Sequence, residues 1–340
     1  MTTGLVGEPL AHVATCVIVS LAISRGRDRP EGAVDSDIMS SPTPADDLGR
    51  LAFVITTLGR VAPLGRLLDT LAPQLAAGDQ VVVVAQDHIA EVQQLVAERQ
   101  PVGAGTLAVV TSDRGAARGR NVGVEHVEGD PVLQFPNDTS EAPEGFVAAL
   151  RGLAPRLGVG AITFRDEHGP KFVLPAPGTP LDRWNVWNVM EAGVLVRRSV
   201  FLQAGGFDPD IGSGAATPWQ AGEVTDFLLR AMDRGLTGDF VWAPADIAIT
   251  GVGEATGLSP AEHRRKVRAY SRGTSRILGR WSYPLWWRLA FIAAGLLIGV
   301  RHDATHRPED GWWAFLGRLE GFLGRVLGPR GGRPMTAVRR

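Results

Sequence analysis

The sequence predicts an α/β fold: an open, mostly parallel sheet with flanking helices and a C-terminal helical extension. Short β-rich runs alternate with amphipathic helices over residues 51–135, the order of a parallel α/β sheet. One run, Gln80–Ala85 (QVVVVA), is almost continuously apolar and β-branched, as in strands buried on both faces. Beyond Ala142 the alternation lapses, and towards the C-terminus apolar residues recur at helical spacing.

The elements follow in order. Leu51–Leu58 (LAFVITTL) is the first strand. Ala62–Leu75 is a helix with Leu64, Leu67, Leu68, Leu71 and Leu75 on one face. Gln80–Ala85 and Ile89–Arg99 form the next strand and helix, then Thr106–Thr111 and Gly115–Val127, then the strand Pro131–Phe135. Ligands of such sheets bind beyond the carboxyl ends of the strands. That directs attention to Thr56–Arg60, Gln86–His88, Ser112–Arg114 and Pro136–Ser140. Pro143–Leu153 is expected to be a helix and Val159–Phe164 one strand. Arg165–Asn188 is a long stretch with Pro and Gly. Ala192–Arg197 is a strand, Gly205–Trp219 a Gly-rich loop and Ala221–Arg234 a helix. Asp239–Thr250 contains extended segments. His263-Arg264-Arg265-Lys266 opens a basic helix running to Leu278. There is no evident internal repeat.

Composition bounds the function. The 340 residues are 44% hydrophobic and 21% charged, enough for a packed core and against global disorder. With 35 basic and 36 acidic side chains the net charge is -1, so bulk charge argues against a nucleic-acid-binding protein. Only Lys171 and Lys266 among the basic residues are lysines. Cys16 is the only cysteine, which rules out an intrachain disulfide framework or a Cys-rich metal site and fits a reducing compartment.

Both ends of the chain differ from the middle. Leu10–Ile23 is apolar but interrupted by His12, and Arg25, Arg27 and Arg29 follow it. It is short of the roughly 20 apolar residues of a membrane span, and no basic region precedes it as in a signal peptide. Gly26–Asp47 reads as a linker, so residues 1–48 are expected to be a disordered extension; Met39 is a candidate start. In Trp281–Val300, Trp281, Tyr283, Trp286 and Trp287 precede an apolar run, with Arg276 and Arg280 before them and Arg288 within. This pattern suits a membrane-surface or re-entrant segment and equally a helix buried against the main domain. Trp312–Leu327 has the spacing of another amphipathic helix.

Several clusters could carry chemistry. Asp138, in Phe135-Pro136-Asn137-Asp138-Thr139, follows a buried strand. A carboxylate there can hold a divalent cation, which in turn holds phosphate oxygens; an Asx-type turn or a cap for the next helix is the plainer alternative. Glu223 and Asp226 lie on one face of a helix. They suit general-base work on a hydroxyl, or simply complement the helix dipole. Arg114, Arg118 and Arg120 surround two glycines at a strand-to-helix junction, where they face a diphosphate or solvent. His263 is a candidate metal ligand or part of a solvated basic surface. Trp184, Trp187 and Trp219 could stack on a sugar or pack on the core.

Taken in order over Leu51–Arg280, these pieces resemble a family 2 glycosyltransferase of the GT-A fold, a Rossmann-like sheet. ITTLGR resembles the first nucleotide-contacting loop, and QVVVVAQD the second strand with its sugar-nucleotide loop. RGAARGRNVGVEHVEGDPVLQFPNDT is similar to the stretch joining an Arg-Asn helix to the acidic metal motif. The most specific piece is EAGVLVRRSVFLQAGGFDPDIGSGAATPWQAGEVTDFLLRAMDRG, with Gly-Gly-Phe-Asp, a Gly-rich loop and a Gly-Glu-x-x-Asp helix.

The resemblance implies a GT-A domain over residues 49–255, with a nucleotide-binding half (49–142) and an acceptor half (143–255). A helical segment (256–330) and a tail (331–340) follow. It implies transfer of a sugar, with inversion, from a nucleotide-diphosphate donor to a glycan or lipid-linked acceptor of the cell envelope. A Mg2+ or Mn2+ ion would be held at Asp138. Glu223 or Asp226 would be the base, and Arg118 and Arg120 would neutralise the diphosphate. Thr56, Arg60 and Asp87 would border the nucleoside, Asn121 would help to fix the loop, and Trp219 would contact substrate. The expected location is cytoplasmic, peripheral at the inner face of the plasma membrane through residues 281–300.

This chain departs from the family pattern in three places. Asn137-Asp138-Thr139 replaces a fuller acidic triplet, Ala85 stands where an aspartate often ends the second strand, and Val224 follows the glutamate. The alternative function is therefore a catalytically impaired GT-A-like protein that binds a glycan or a partner. A nucleotidyltransferase would need an early phosphate-gripping Gly-rich loop with a lysine, and no lysine precedes Lys171. No Gly-x-Gly-x-x-Gly follows the first strand and there is no Walker-type loop, which argues against dinucleotide and P-loop chemistry.

Overall fold

β1 (Leu51–Thr57) runs through the middle of the protein, buried along almost its whole length. The computed structural model describes residues 49–99, 104–253, 256–300 and 307–328. The extension 1–48, including Leu10–Ile23 and Met39, and the tail 331–340 lie outside the described residues.

Around β1, a seven-stranded sheet is ordered β3-β2-β1-β4-β8-β5-β9. Its strands are β2 (Gln80–Ala85), β3 (Thr106–Thr111), β4 (Val132–Gln134), β5 (Val159–Ala161), β8 (Val194–Arg197) and β9 (Val241–Trp242). Only β8 runs antiparallel to its neighbours, β4 and β5. In the parallel half Phe53 stands opposite Val81 on one side and Gln134 on the other, so the tips of β1, β2 and β4 emerge at one edge.

Helices α1 (Val61–Leu71), α2 (Ile89–Ala97) and α3 (Ala116–Glu125) connect the first strands. The expected leucine face of α1 is buried, and it stabilises the domain by removing apolar area from water. Helix α3 lies unusually close to the sheet. A Cβ on Gly123 would stand 2.3 Å from Val54 Cγ1, a distance no side chain tolerates, so glycine sets how near α3 and its arginines come to the strand tips.

The expected strand Val159–Phe164 is two strands. β5 ends at Ala161, and β6 (Thr163–Asp166) joins a second sheet with β7 (Gly169–Pro170) and β10 (Ala248–Thr250). At the hinge the Ile162 amide donates to Gly193 O (2.8 Å) and the Thr163 amide to Ile247 O (3.2 Å). An unbroken β-rich run does not reveal such a change of partner. α4 (Phe146–Leu153), α5 (Arg198–Gln203) and α6 (Glu223–Asp233) complete this region.

Among the described residues, the C-terminal segment has three α-helices: α7 (Pro260–Arg280), α8 (Leu285–Ala294) and α9 (Asp310–Leu323). α7 starts three residues before the basic run. Ser259 and Glu262 form a capping box there, a signal that Ser-Pro-Ala-Glu carries in the sequence itself. Helix α9 lies along α7: Ser275 Oγ donates to Arg318 O (2.7 Å), and buried Glu320 accepts from Arg272 Nε (2.7 Å) and Arg268 Nε (3.1 Å).

Residues 281–300 carry both buried and exposed apolar side chains. Tyr283 and Trp287 are buried in an aromatic cluster, where Trp187 Nε1 donates to the Tyr283 hydroxyl (3.0 Å) and the Trp184 and Trp287 rings are 5.2 Å apart. Leu285, Trp286 and Leu289 face outward. Among the described residues no helix is long and apolar enough to cross a membrane.

Candidate functional site

The tips of β1 and β4 meet at a parallel bridge between Thr56 and Asn137, which brings Asp138 beside Thr57. Asp138 is 1% exposed. Thr57 Oγ1 donates to its Oδ2 at 2.8 Å, Arg60 Nε donates to the same oxygen at 3.0 Å, and Arg60 Nη2 donates to Oδ1. The Arg60 side chain is itself 58% exposed. Burial pushes the Asp138 carboxyl above its ordinary value, against the pull of Arg60 and Thr57. Arg60, expected at the nucleoside, thus lies on the expected metal ligand.

The second carboxylate reaches the same strand edge through an arginine. Arg120, on α3, is buried. Its Nη1 donates to Glu223 Oε1 (3.3 Å) and its Nη2 to Asn137 Oδ1 (3.5 Å). Its Nε is buried without a protein partner, although buried donors are normally satisfied. Burial pushes the Glu223 carboxyl up to about 7, with the Glu191 charge adding and Arg120 opposing. A carboxyl poised near neutrality is suited to accept a proton. Glu191 was missed in the sequence: it sits in a short turn at Glu191–Gly193, just before β8.

The Gly-rich loop closes over Glu223. Gly212 has φ +107°, and a Cβ there would stand 2.8 Å from the Glu223 carboxyl carbon. The Asn121 amide holds the loop's start at both ends: Nδ2 donates to Phe207 O (2.8 Å), and Phe207 N donates to Oδ1 (2.9 Å). Further on, Ala116 N donates to Ser213 O (2.8 Å), and Ser213 Oγ is 2.7 Å from the Tyr270 hydroxyl of α7. Arg276 of α7 stacks on Trp219, 5.2 Å from the ring centroid. The C-terminal helices therefore support the loop directly, which the division of the sequence at residue 255 does not suggest.

Asp226 has a different environment from Glu223, one turn away. It is fully buried, accepting from Arg230 Nη2 (2.9 Å) and Trp281 Nε1 (2.9 Å), with Arg280 Nε at 3.2 Å. All these donors tie α6 to its own next turn and to the end of α7. Asp226→Asn is expected to lower the unfolding free energy by about 3 kcal/mol, as when one partner of a buried ion pair is lost. Turnover of the folded protein should stay near the parent value. Urea titration together with turnover measurement checks this; lost turnover at unchanged stability would transfer the base role to Asp226.

Of the remaining residues, Asp87, Gln86 and Arg118 border the sheet edge and His263 does not. Asp87 pairs with Arg114 and accepts from His88 N (3.0 Å). The His88 amide first, and then Arg114, hold its carboxyl below the ordinary range. Gln86, within the expected strand-tip stretch Gln86–His88, ties the end of β2 to the loop before α3, donating to Ser112 Oγ (3.0 Å) and Gly115 O (2.9 Å). Arg118 is exposed and lines an open cleft of about 470 Å³ with Ser112 and Asp113. His263 is buried between α7 and α9, its Nε2 2.8 Å from Asp310 Oδ2. Among the described residues no group of three or more His, Cys, Asp and Glu side chains is arranged to hold a metal ion.

No protein-family profile and no curated protein matches this sequence. Its fold is similar to that of S. aureus TarS 1–349, with a TM-score of 0.50 and 13% identity over 82% of this chain and 93% of that one. The same figures hold for TarS 1–349 in complex with UDP-GlcNAc. The mannosyltransferase PcManGT from Pyrobaculum calidifontis, in complex with GDP-Man and Mn2+, aligns with a TM-score of 0.51 and 14% identity over 93% of this chain and 84% of that one. The chain thus has the GT-A type of fold: a mostly parallel seven-stranded sheet with flanking helices.

Proposed function

We propose that this chain is a family 2-like inverting glycosyltransferase, moving a sugar from a nucleotide-diphosphate donor to a hydroxyl of a glycan or lipid-linked acceptor of the cell envelope. One observation carries the proposal: Arg120 bridges Glu223 and Asn137, the residue before Asp138, which brings the candidate base and the candidate cation ligand to one edge of the sheet. The neighbours' bound UDP-GlcNAc and GDP-Man support the donor class.

In this reading Glu223 takes the proton of the acceptor hydroxyl. The freed oxygen attacks the anomeric carbon from the face opposite the diphosphate, and the bond from that carbon to the diphosphate oxygen breaks. This single displacement inverts the configuration and releases a nucleoside diphosphate. The positive charges of Arg118 and Arg120 oppose the negative charge growing on the leaving group. Thr56 and Asp87 border the nucleoside, and Asn121 holds the loop that covers Glu223.

The strand tips offer a cation one carboxylate, Asp138. A Mg2+ or Mn2+ ion held by one carboxylate, donor phosphate oxygens and water fits that donor set, with the exposed Arg60 guanidinium withdrawing into solvent or onto phosphate. Such an ion supplies Lewis-acid neutralisation of the leaving diphosphate. We assign it to Asp138 and not to His263, which is engaged by Asp310. The Arg60–Asp138 pair also favours a second reading, in which the cleft binds a glycan or partner without catalysis.

Thermal stabilisation by a panel of uridine and guanosine diphosphate sugars, with Mn2+ and again with EDTA, tests the proposal. At least one donor is expected to raise the Tm and to be turned over to its nucleoside diphosphate with Mn2+, and less with EDTA. No stabilisation by any donor or nucleoside diphosphate would remove the transferase reading. Binding without turnover would favour the second reading.

A further inference from the structure

We infer that the outer face of α8 and α9 is a docking surface for an anionic phospholipid bilayer. Most of the large apolar side chains exposed among the described residues fall in this segment. Leu285, Trp286 and Leu289 project from α8, Leu296 and Leu297 from the short turn after it, and Trp312 from α9. The turn is seated on the start of α9, because a Cβ on Gly295 would stand 2.7 Å from Phe315 N and one on Gly311 2.4 Å from Leu296 O. The exposed residues of the turn and of α9 are therefore neighbours in space as well as in sequence. Exposed apolar surface of this kind marks an interaction site.

Charge selects the occupant. The acids of this layer are turned inward: Asp310 is engaged by His263, and Glu320 by Arg268 and Arg272. Glu309, at the surface, pairs with Arg264. Arg307 and Arg325 bracket α9 and are exposed. Tryptophan and leucine beside exposed arginines, with no described acid paired to their side chains, is the composition of a helix that lies in the interface of an anionic membrane. A second copy docked face to face would set these arginines against each other. No described helix can cross the bilayer, so the contact lies on its surface. Docking there would hold the cleft near a lipid-linked acceptor. That consequence rests on the proposed transfer reaction, whereas the docking itself does not.

Co-sedimentation of the full chain with phosphatidylglycerol–phosphatidylcholine vesicles, and with phosphatidylcholine alone, tests the inference without any donor. The chain is expected to pellet with the anionic vesicles and to be released by salt. Trp286→Ser combined with Leu297→Ser should weaken this binding by about 10–100-fold, from two large side chains no longer buried. Arg307→Glu with Arg325→Glu should remove the preference for anionic lipid. The Tm and far-UV circular dichroism of the same variants in the absence of vesicles and nucleotide should match the parent, which shows that they fold and separates this result from the fate of the transferase reading. Vesicle binding that survives both pairs of substitutions, such as binding through Leu10–Ile23, would overturn the inference. So would failure to pellet. A chain that dimerises in light scattering, with the dimer lost in the Trp286/Leu297 variant and no vesicle binding, would assign the face to a second copy instead.

Discussion

Glu223→Gln is expected to lower turnover by about 10²–10⁴-fold, the range for loss of a general base, and to make the protein more stable above neutral pH. The two effects have one cause. Burial holds the Glu223 carboxyl at about 7, so the folded state favours its protonated form, which glutamine imitates. In the unfolded chain the carboxyl titrates near 4.5. Between these values the folded state binds more protons than the unfolded state, so its stability falls as pH rises. At pH 8 the ionised carboxylate is buried, and its removal should raise the unfolding free energy by about 2–3 kcal/mol. Near pH 4 the gain should vanish, because the parent is protonated in the fold. Urea titrations of both proteins at pH 4.5, 6 and 8 read the stability effect. The parent's kcat/KM should fall as pH drops below about 7, since the base must be ionised to act. A flat pH profile with no gain at pH 8 would mean that Glu223 is paired more strongly than its neighbours indicate.

Asp138→Ala is expected to cost turnover about 10²–10³-fold, comparable to losing one group that stabilises developing charge, with little change in stability. The second expectation follows from where its partners can go. Arg60 is mostly exposed and can return to water. Thr57 Oγ1 keeps its bonds from Gly59 N and Arg60 N. Burial already disfavours the Asp138 charge, so the fold loses little with it. Urea titration and donor turnover with saturating Mn2+ are the measurements. Unimpaired turnover would remove Asp138 from the reaction, and collapse of stability would make it a structural ion like Asp226.

Much of the scaffold was legible because it is local. The leucine face of α1 and the β-branched run of β2 are patterns within a dozen residues, and they are buried as their spacing predicts. Even the missed start of α7 was local, written in Ser259 and Glu262. The split at Ile162 was not, because Val159–Phe164 reads as one unbroken β-rich run and only the pairing partners, remote in the chain, change at its middle.

The cleft is where local reading stopped. Glu223 and Asp226 are alike in the sequence: two carboxylates on one helix face, three residues apart. One local sign separates them, Arg230 one turn beyond Asp226. The decisive partners are remote: Arg120 lies 103 residues before Glu223, Trp281 lies 55 after Asp226, and Arg60 lies 78 before Asp138. By itself the sequence determined the α/β sheet, the edge at which its loops meet and the residues available there, since periodicity and strand order follow from side-chain burial near in the chain. Only the tertiary structure decided which carboxylate is buried beside an incompletely paired arginine, which is locked by ion pairs and which apolar side chains remain outside. Charge and burial act through space, and distance along the chain does not encode them.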